Sequence, residues 1–160
     1  MSKHQKGFSL IELLIVVAII LIIAAIAIPN LLRSRMAANE SSAVGSLRTI
    51  NTAEVTYATT YPNLGFTGLA QLGGAAPCAA GPATACLIDE VLSVAPFQKS
   101  GYLFAALPIA GAGGPLVQYA SNANPVNPGT TGQRFFCSNE SGVIRFTQAA
   151  GCTNASPPLQ

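Results

Sequence analysis

One carboxylate lies near the start of a long apolar stretch, and its position calls for a chemical explanation. From Phe8 to Ile28 the only polar side chains are those of Ser9 and Glu12. As a helix, these residues would extend about 30 Å, enough to cross the hydrocarbon core of a bilayer. An acidic side chain inside a membrane span is costly, rare and usually paired with a cation. Glu12 is therefore the first candidate for a functional residue.

A cut of the chain between Gly7 and Phe8 would supply that cation. The new amine of Phe8 would have a reference pKa of about 7.7–8.0 and would be mostly cationic at neutral pH. Glu12 follows four residues later, which is close to helical neighbour spacing. Between two parallel helices offset along their axes, Glu12 of one chain could also meet the amine of another. The spacing thus predicts an ion pair, either within one chain or between two.

The segment from Gly7 to Leu14, Gly-Phe-Ser-Leu-Ile-Glu-Leu-Leu, resembles the processing and methylation signature of type IV prepilins. The resemblance is close as far as about Asn30, extends along the helical pattern to about Tyr61, and is one of architecture beyond that point. It implies an α+β pilin fold. In that fold a long N-terminal helix, whose first half spans the membrane, packs on a small antiparallel sheet.

The resemblance also implies roles for individual residues. A prepilin peptidase, which is also an N-methyltransferase, would cut between Gly7 and Phe8 and methylate the amine of Phe8. Phe8 and Glu12 would then act in assembly, because Glu12 would draw an incoming subunit into register by neutralising a neighbour's N-terminus. The implied partners are membrane lipid before assembly, the inner-membrane pilus assembly machinery, and further copies of the chain in a helical filament.

Two other interpretations of the N-terminus remain open. A secretory signal peptide also has a basic start and an apolar centre, and Ala25-Ile26-Ala27 has the small-x-small form of a cleavage site. However, the apolar run slightly exceeds the usual length, a carboxylate lies at its beginning, and Pro29 follows the cut closely. An uncleaved membrane anchor explains the length but gives Glu12 no role.

The charge balance favours self-association. The chain has 160 residues, of which 9% are charged, well below the quarter typical of soluble domains. Removal of Lys3 and Lys6 with the leader would leave six basic and six acidic side chains, so little long-range repulsion would oppose association. No basic patch extends beyond Arg33 and Arg35, and no specific nucleic-acid partner is predicted.

The four cysteines all follow the apolar span, at Cys78, Cys86, Cys137 and Cys152. An even number in this position suits an oxidising compartment outside the cytoplasm. Their spacing favours bridges Cys78–Cys86 and Cys137–Cys152 over a zinc site, which would need closer cysteines. The second loop resembles the C-terminal disulfide-bounded region exposed on type IV pilins.

The sequence offers almost no material for catalysis. The only histidine, His4, lies in the leader, so no Ser/His/Asp or Cys/His arrangement can be assembled after the cut. Asp89 and Glu90 make a poor calcium site, because calcium prefers oxygen ligands from several acids. We expect no enzyme, no catalytic residue, no metal and no cofactor.

The chain pattern predicts a long helix followed by a loop and a sheet. Pro29 should kink the helix, because it lacks an N–H and its ring crowds the carbonyl of Ala25. Pro62 marks the predicted end of the helix. The predicted segments are a cleaved leader (1–7), a transmembrane and assembly helix (8–28), its amphipathic continuation (29–61), a variable loop (62–100) and an antiparallel sheet with the C-terminal disulfide-bounded region (101–160).

The continuation of the helix shows one apolar stripe. Its members are Leu32, Met36, Ala43, Leu47, Ile50 and Tyr57. The remaining faces are predicted to carry the polar side chains, which are Asn39, Glu40, Arg48, Asn51 and Thr52. Gly45 is interpreted as a site of close packing or flexibility, because glycine costs a helix up to about 1 kcal/mol relative to alanine.

Two hairpins are predicted near the C-terminus. The first joins Tyr102–Ile109 to Leu116–Ser121 through the turn Gly111–Gly114. A loop at Asn122–Gly132 follows. The second hairpin joins Arg134–Ser138 to Val143–Thr147, giving three or four strands in all. A short helix is also expected around Leu87–Val94.

The resemblance leads to a functional expectation: a structural subunit of a type IV pilus, located in the inner membrane as a precursor and then on the cell surface. One alternative is a type II secretion pseudopilin, which would be periplasmic. Another, from a different class, is a non-polymerising single-span protein that displays a small extracytoplasmic binding domain.

Overall fold

The computed structural model describes residues 8–109 and 115–159. The proposed leader, including Gly7, and the predicted turn Gly111–Gly114 lie outside these residues. The chain divides into two compact units, an N-terminal unit that ends at Arg35 and a C-terminal unit that begins at Met36. The two units are described separately.

The first element is helix α1, which runs from Leu10 to Thr60. The helical conformation continues without interruption through Pro29, and the kink expected there stays a prediction. The helix ends just before Pro62, since the residue preceding a proline disfavours the helical conformation.

Within the described residues, five strands form one antiparallel sheet. They are β1 (Gln98–Lys99), β2 (Tyr102–Ile109), β3 (Gln118–Pro125), β4 (Phe135–Asn139) and β5 (Arg145–Thr147), and each pairs with the next along the chain. The long helix together with this sheet confirms the predicted α+β pilin-like arrangement. The prediction of three or four strands was too low by at least one.

Strand β3 differs most from its prediction. The segment Asn122–Pro125 was predicted as a loop, yet it continues β3 and pairs with β2 from Asn122 to Pro125. Asparagine and proline are poor strand formers, but pairing with β2 along the whole segment, and with β4 at Asn122 and Ala123, overrides a weak local preference. In this segment Ala123 and Pro125 are buried, while Asn122 and Asn124, which alternate with them, are half-buried.

The segment between α1 and the sheet contains short elements rather than one irregular loop. Helix α2 spans Leu69–Leu72 and helix α3 spans Glu90–Ser93. Helix α3 lies within the segment where a short helix was expected. Leu72 and Leu92 are fully buried, so apolar side chains hold this stretch against the core.

The core of the C-terminal unit contains the inner face of α1 and aromatic side chains of the sheet. Ala43, Leu47, Ile50 and Tyr57 are buried, as the stripe predicted. The stripe does not extend to Leu32, which is half exposed in the N-terminal unit. From the sheet, the largest buried side chains are Tyr102, Phe104, Tyr119 and Phe136.

Two polar residues of α1 are also buried. Glu40 and Asn51 were predicted to lie on faces other than the apolar stripe, and only 8% of each is exposed. Each has hydrogen-bond partners in the sheet region. Asn51 donates to Oγ of Ser138 at 2.8 Å and accepts from the hydroxyl of Tyr119 at 3.0 Å. Polar groups with partners can be buried at little net cost.

Candidate assembly site

Glu12 caps the start of its own helix. Its Oε2 accepts a hydrogen bond from the backbone N–H of Ser9 at 2.9 Å, and α1 begins at the next residue, Leu10. The N–H of Leu13 donates to the carbonyl of Ser9 at 3.2 Å, which closes the first helical turn. Ser9 therefore occupies the N-cap position and Glu12 the third helical position, the arrangement in which a glutamate reaches back to the N-cap N–H.

The capping role was missed at the sequence level, although its signal was present. Serine followed three residues later by glutamate, just before an apolar run, is a known signature of a helix N-terminus. An acidic side chain in the first turn also interacts favourably with the positive end of the helix dipole. Glu12 thus has a local structural role within one chain.

This role leaves Glu12 free to bind a second donor. A carboxylate has two oxygens and accepts about four hydrogen bonds, and the capping bond involves Oε2 alone. Phe8 lies at the same end of the chain and is 77% exposed. The partner Gly7, on the other side of the proposed cut, lies outside the described residues.

The N-terminal unit exposes a continuous apolar surface. Every large apolar side chain from Phe8 to Ile28 is exposed. Among the described residues, α1 is the one helix long and apolar enough to cross a membrane, and the mean hydropathy of its most apolar window is 3.3. Covering a large apolar side chain is worth about 1.5–3 kcal/mol, so this surface strongly favours lipid or other apolar helices over water.

Two disulfides lie in the C-terminal unit. Cys78 pairs with Cys86 at a Cα–Cα distance of 6.0 Å, and Cys137 pairs with Cys152 at 5.7 Å. These are the two pairs that the spacing favours. The first loop is tied to α1 by the hydroxyl of Tyr57, which donates to the carbonyl of Pro82 at 2.7 Å. The second bridge joins β4 to the segment that follows β5.

Glu40 fixes the chain just before β4 to α1. Its Oε1 accepts from the N–H groups of Gln133 (2.8 Å) and Arg134 (3.2 Å), and its Oε2 accepts from Nε of Arg134 at 2.7 Å. Burial pushes the pKa of Glu40 upward, but these hydrogen bonds and the guanidinium charge outweigh it and hold the pKa below its ordinary value. The carboxylate is thus ionised and held in a specific contact.

Glu54, in contrast, is a buried acid with a hydrogen bond to only one of its two oxygens among the described residues. The side chain has no exposed surface. Its Oε2 accepts from the N–H of Thr67 at 3.0 Å, whereas Oε1 has no partner among the described residues. Burial raises the pKa of Glu54 to about 7, and the bond from Thr67 only partly opposes this shift.

The remaining acids do not assemble into a metal centre within residues 8–109 and 115–159. Asp89, considered above as a calcium ligand, forms an ion pair with Lys99 at 2.6 Å.

Comparison with known proteins matches the same N-terminal segment. Residues 2–28 match the model of the prokaryotic N-terminal methylation motif. The chain carries a prokaryotic N-terminal methylation motif. Two curated proteins are also similar to part of the chain.

One relative is the type IV wide pilus major component PilA4 of Thermus thermophilus, which is 62% identical over 39 residues. Another is the type IV major pilin protein PilA of Myxococcus xanthus, which is 48% identical over 56 residues. The matches cover 24% and 35% of this chain, and 30% and 26% of the relatives' own lengths. No solved structure matches the chain significantly.

Proposed function

We propose that this protein is a structural, non-enzymatic subunit of a type IV pilus. The observation that carries the proposal is the methylation motif at residues 2–28, which includes the exposed apolar stretch 8–28, whose one acidic side chain is that of Glu12. The proposed leader is residues 1–7 and the proposed membrane and assembly helix is residues 8–28. Both named relatives are major pilus components.

In the proposed processing step, a prepilin peptidase cuts between Gly7 and Phe8 and then methylates the new amine. Hydrolysis of this peptide bond leaves a carboxylate on Gly7 and a cationic amine on Phe8. A methylated amine remains basic, so the positive charge is kept. Before assembly the precursor lies in the inner membrane, with the cysteine-containing unit on the oxidising side.

In the proposed assembly step, Glu12 pairs with the amine of Phe8 of a neighbouring subunit. In hydrocarbon surroundings an unpaired carboxylate is costly, so a subunit whose Glu12 meets a cation is strongly favoured over one that is out of register. The apolar helix passes from lipid into a bundle of sister helices, an exchange between two environments of similar polarity. A separate assembly machinery in the inner membrane therefore drives polymerisation.

The experiment compares surface filaments from cells that produce the wild-type chain or a Gly7→Val variant. Surface material is sheared off and imaged by electron microscopy with an antibody against the C-terminal unit. Labelled thin filaments are expected from the wild type, and none from the variant, whose uncut chain should accumulate in the membrane. A wild-type chain that stays in the membrane fraction and forms no filament would support the single-span binding protein instead.

A further inference from the structure

Exposed residues of α1 border two open grooves in the C-terminal unit. The first has a volume of about 470 Å³ and is bounded by α1, Arg134 and Leu159. The second has a volume of about 390 Å³ and is bounded by α1 and Leu87. Arg48 borders both grooves. We call the exposed side of α1 along these grooves the Arg48 face; its residues are Ala37, Ser41, Gly45, Arg48, Thr49, Thr52 and Thr56.

Arg48 is an exposed cation that forms no ion pair among the described residues. The two ion pairs found in the described part of this unit are internal to the subunit and join Lys99 to Asp89 and Arg134 to Glu40. The other two charged side chains at the first groove, Arg134 and Glu40, pair with each other, so Arg48 contributes the positive charge of this face.

Gly45 lies one turn before Arg48 and has no structural reason within the subunit. A Cβ atom placed on it would meet nothing within 4 Å, and its backbone is helical. Glycine in an exposed helix costs up to about 1 kcal/mol relative to alanine. The missing side chain deepens the groove beside Arg48 and lets another chain approach the helix backbone.

The same chain presents an exposed carboxylate on a well-held turn. Glu140 lies at the tip between β4 and β5, where Gly142 donates its N–H to the carbonyl of Asn139 at 2.8 Å. The side-chain oxygen of Asn139 accepts from Oγ of Ser141 at 2.6 Å, and Asn51 of α1 donates to the carbonyl of Gly142. A turn held in this way loses little conformational entropy when it binds. Glu140 forms no ion pair within the part of the chain that the structure describes.

We propose that in the filament the Arg48 face of one subunit receives the Glu140 turn of a neighbouring copy. This inference rests on the proposed function, because a homopolymer can only complement a surface with another surface of the same chain. A contact between two different patches is heterologous, and repeated without closure it builds a helical fibre. Opposite charges across the contact would select the register of the two heads.

Charge exchange between the two positions tests the contact. In cells, Arg48→Glu and Glu140→Arg are each expected to reduce sheared filament yield about tenfold, because each puts like charges in contact at every subunit. The double variant should restore the yield. The matched control is Glu90→Arg, which makes the same substitution at the exposed acid that begins α3 and should leave the yield unchanged.

Co-expression shows whether the pairing is between chains. Cells that produce the Arg48→Glu chain and the Glu140→Arg chain together should form mixed filaments, although neither chain does so alone. A pair formed within one subunit could not be restored in this way. Recovery from both chains together also shows that each variant folds, and electrophoresis of the membrane pool without reductant checks that both disulfides are present.

Three outcomes would overturn the inference. Normal filaments from Arg48→Glu would overturn it while leaving the proposed function intact. Restoration of Arg48→Glu by Glu90→Arg, but not by Glu140→Arg, would show that the partner is another surface. Absence of the wild-type chain from filaments would overturn the proposed function together with this inference.

Discussion

At the scale of single residues, Glu12 combines a capping role seen in one chain with a pairing role proposed between chains. The two roles need different properties of the side chain. Capping needs an oxygen that accepts from the N–H of Ser9, which the carboxylate does at 2.9 Å. Pairing with the amine of Phe8 needs a negative charge.

The substitution Glu12→Gln separates these roles, because glutamine can also cap the helix from the third position of a capping box but carries no charge. We expect Glu12→Gln and Glu12→Ala to give the same severe loss of filaments, with processed subunit left in the membrane. The measurement is the ratio of sheared to membrane-bound chain by quantitative immunoblot. Normal yield from Glu12→Gln with loss from Glu12→Ala would assign the residue to capping rather than to charge pairing.

Glu54 should make the stability of the folded chain depend on pH. Its pKa is raised from 4.5 to about 7, so the protonated acid is favoured by folding. The contribution of protonated Glu54 to the free energy of unfolding is fully present below about pH 4.5, and it is lost as the pH rises towards 7 and above. The full difference is of order 3 kcal/mol, at about 1.36 kcal/mol per pKa unit.

The measurement is thermal unfolding of the detergent-solubilised chain at about pH 5 and about pH 8, on either side of the raised pKa. The unfolding temperature of the wild type should be lower at the higher pH. The unfolding temperature of Glu54→Gln should differ little between the two pH values and should be above that of the wild type at the higher pH. Equal pH dependence in both chains would mean that Glu54 is ionised in the folded state at neutral pH.

At the scale of elements, replacing glycine by alanine should change the stability of the subunit in opposite directions at two positions with different surroundings. Gly45→Ala should stabilise the subunit by up to about 1 kcal/mol, because the new Cβ meets nothing and alanine favours helix. Gly132→Ala should destabilise it, because a Cβ there would collide with the ring and hydroxyl of the buried Tyr102. Denaturant unfolding of the solubilised chains checks both signs, and destabilisation by Gly45→Ala would contradict the open groove beside Arg48.

The two disulfides should differ in their contributions to stability. Cys137 and Cys152 are 15 residues apart, and Cys78 and Cys86 are 8 apart. By the chain-entropy relation the longer loop contributes about 3 kcal/mol and the shorter one somewhat less. Paired Cys→Ser variants, compared by denaturant unfolding, should rank in this order, and an equal or reversed ranking would show that loop closure does not dominate.

The same elements show what the sequence could and could not predict. Strand β2 was predicted at its observed bounds, because apolar residues mark it and clear turn residues flank it. The predicted bounds of strand β3, Leu116–Ser121, were displaced from the observed ones, Gln118–Pro125. The reason is that Asn122–Pro125 has a loop-like composition and becomes extended by pairing with neighbouring strands. The burial of Glu40 and Asn51 depends on partners 93 and 87 residues away, a separation that helical periodicity does not reveal.

At the scale of the whole molecule, the chain combines an exposed apolar N-terminal unit with a disulfide-linked C-terminal unit that contains the core. The N-terminal segment was recognised from a few residues of fixed type and spacing, and the methylation-motif match covers that same segment. The C-terminal unit lies largely beyond the matches to the two relatives. Its surface, including the Arg48 face, could be described only from the structure, because the exposure and the ion pairing of a side chain depend on the fold.

The proposed function depends on the chemistry of one peptide bond, and the mass of the assembled subunit tests it most directly. Filaments sheared from cells should contain this chain with its first residue at Phe8 and one methyl group on that amine. Intact-mass measurement and N-terminal sequencing give both facts from one preparation. A chain that begins at Met1 or at Ile28, or a filament preparation without this chain, would contradict the account.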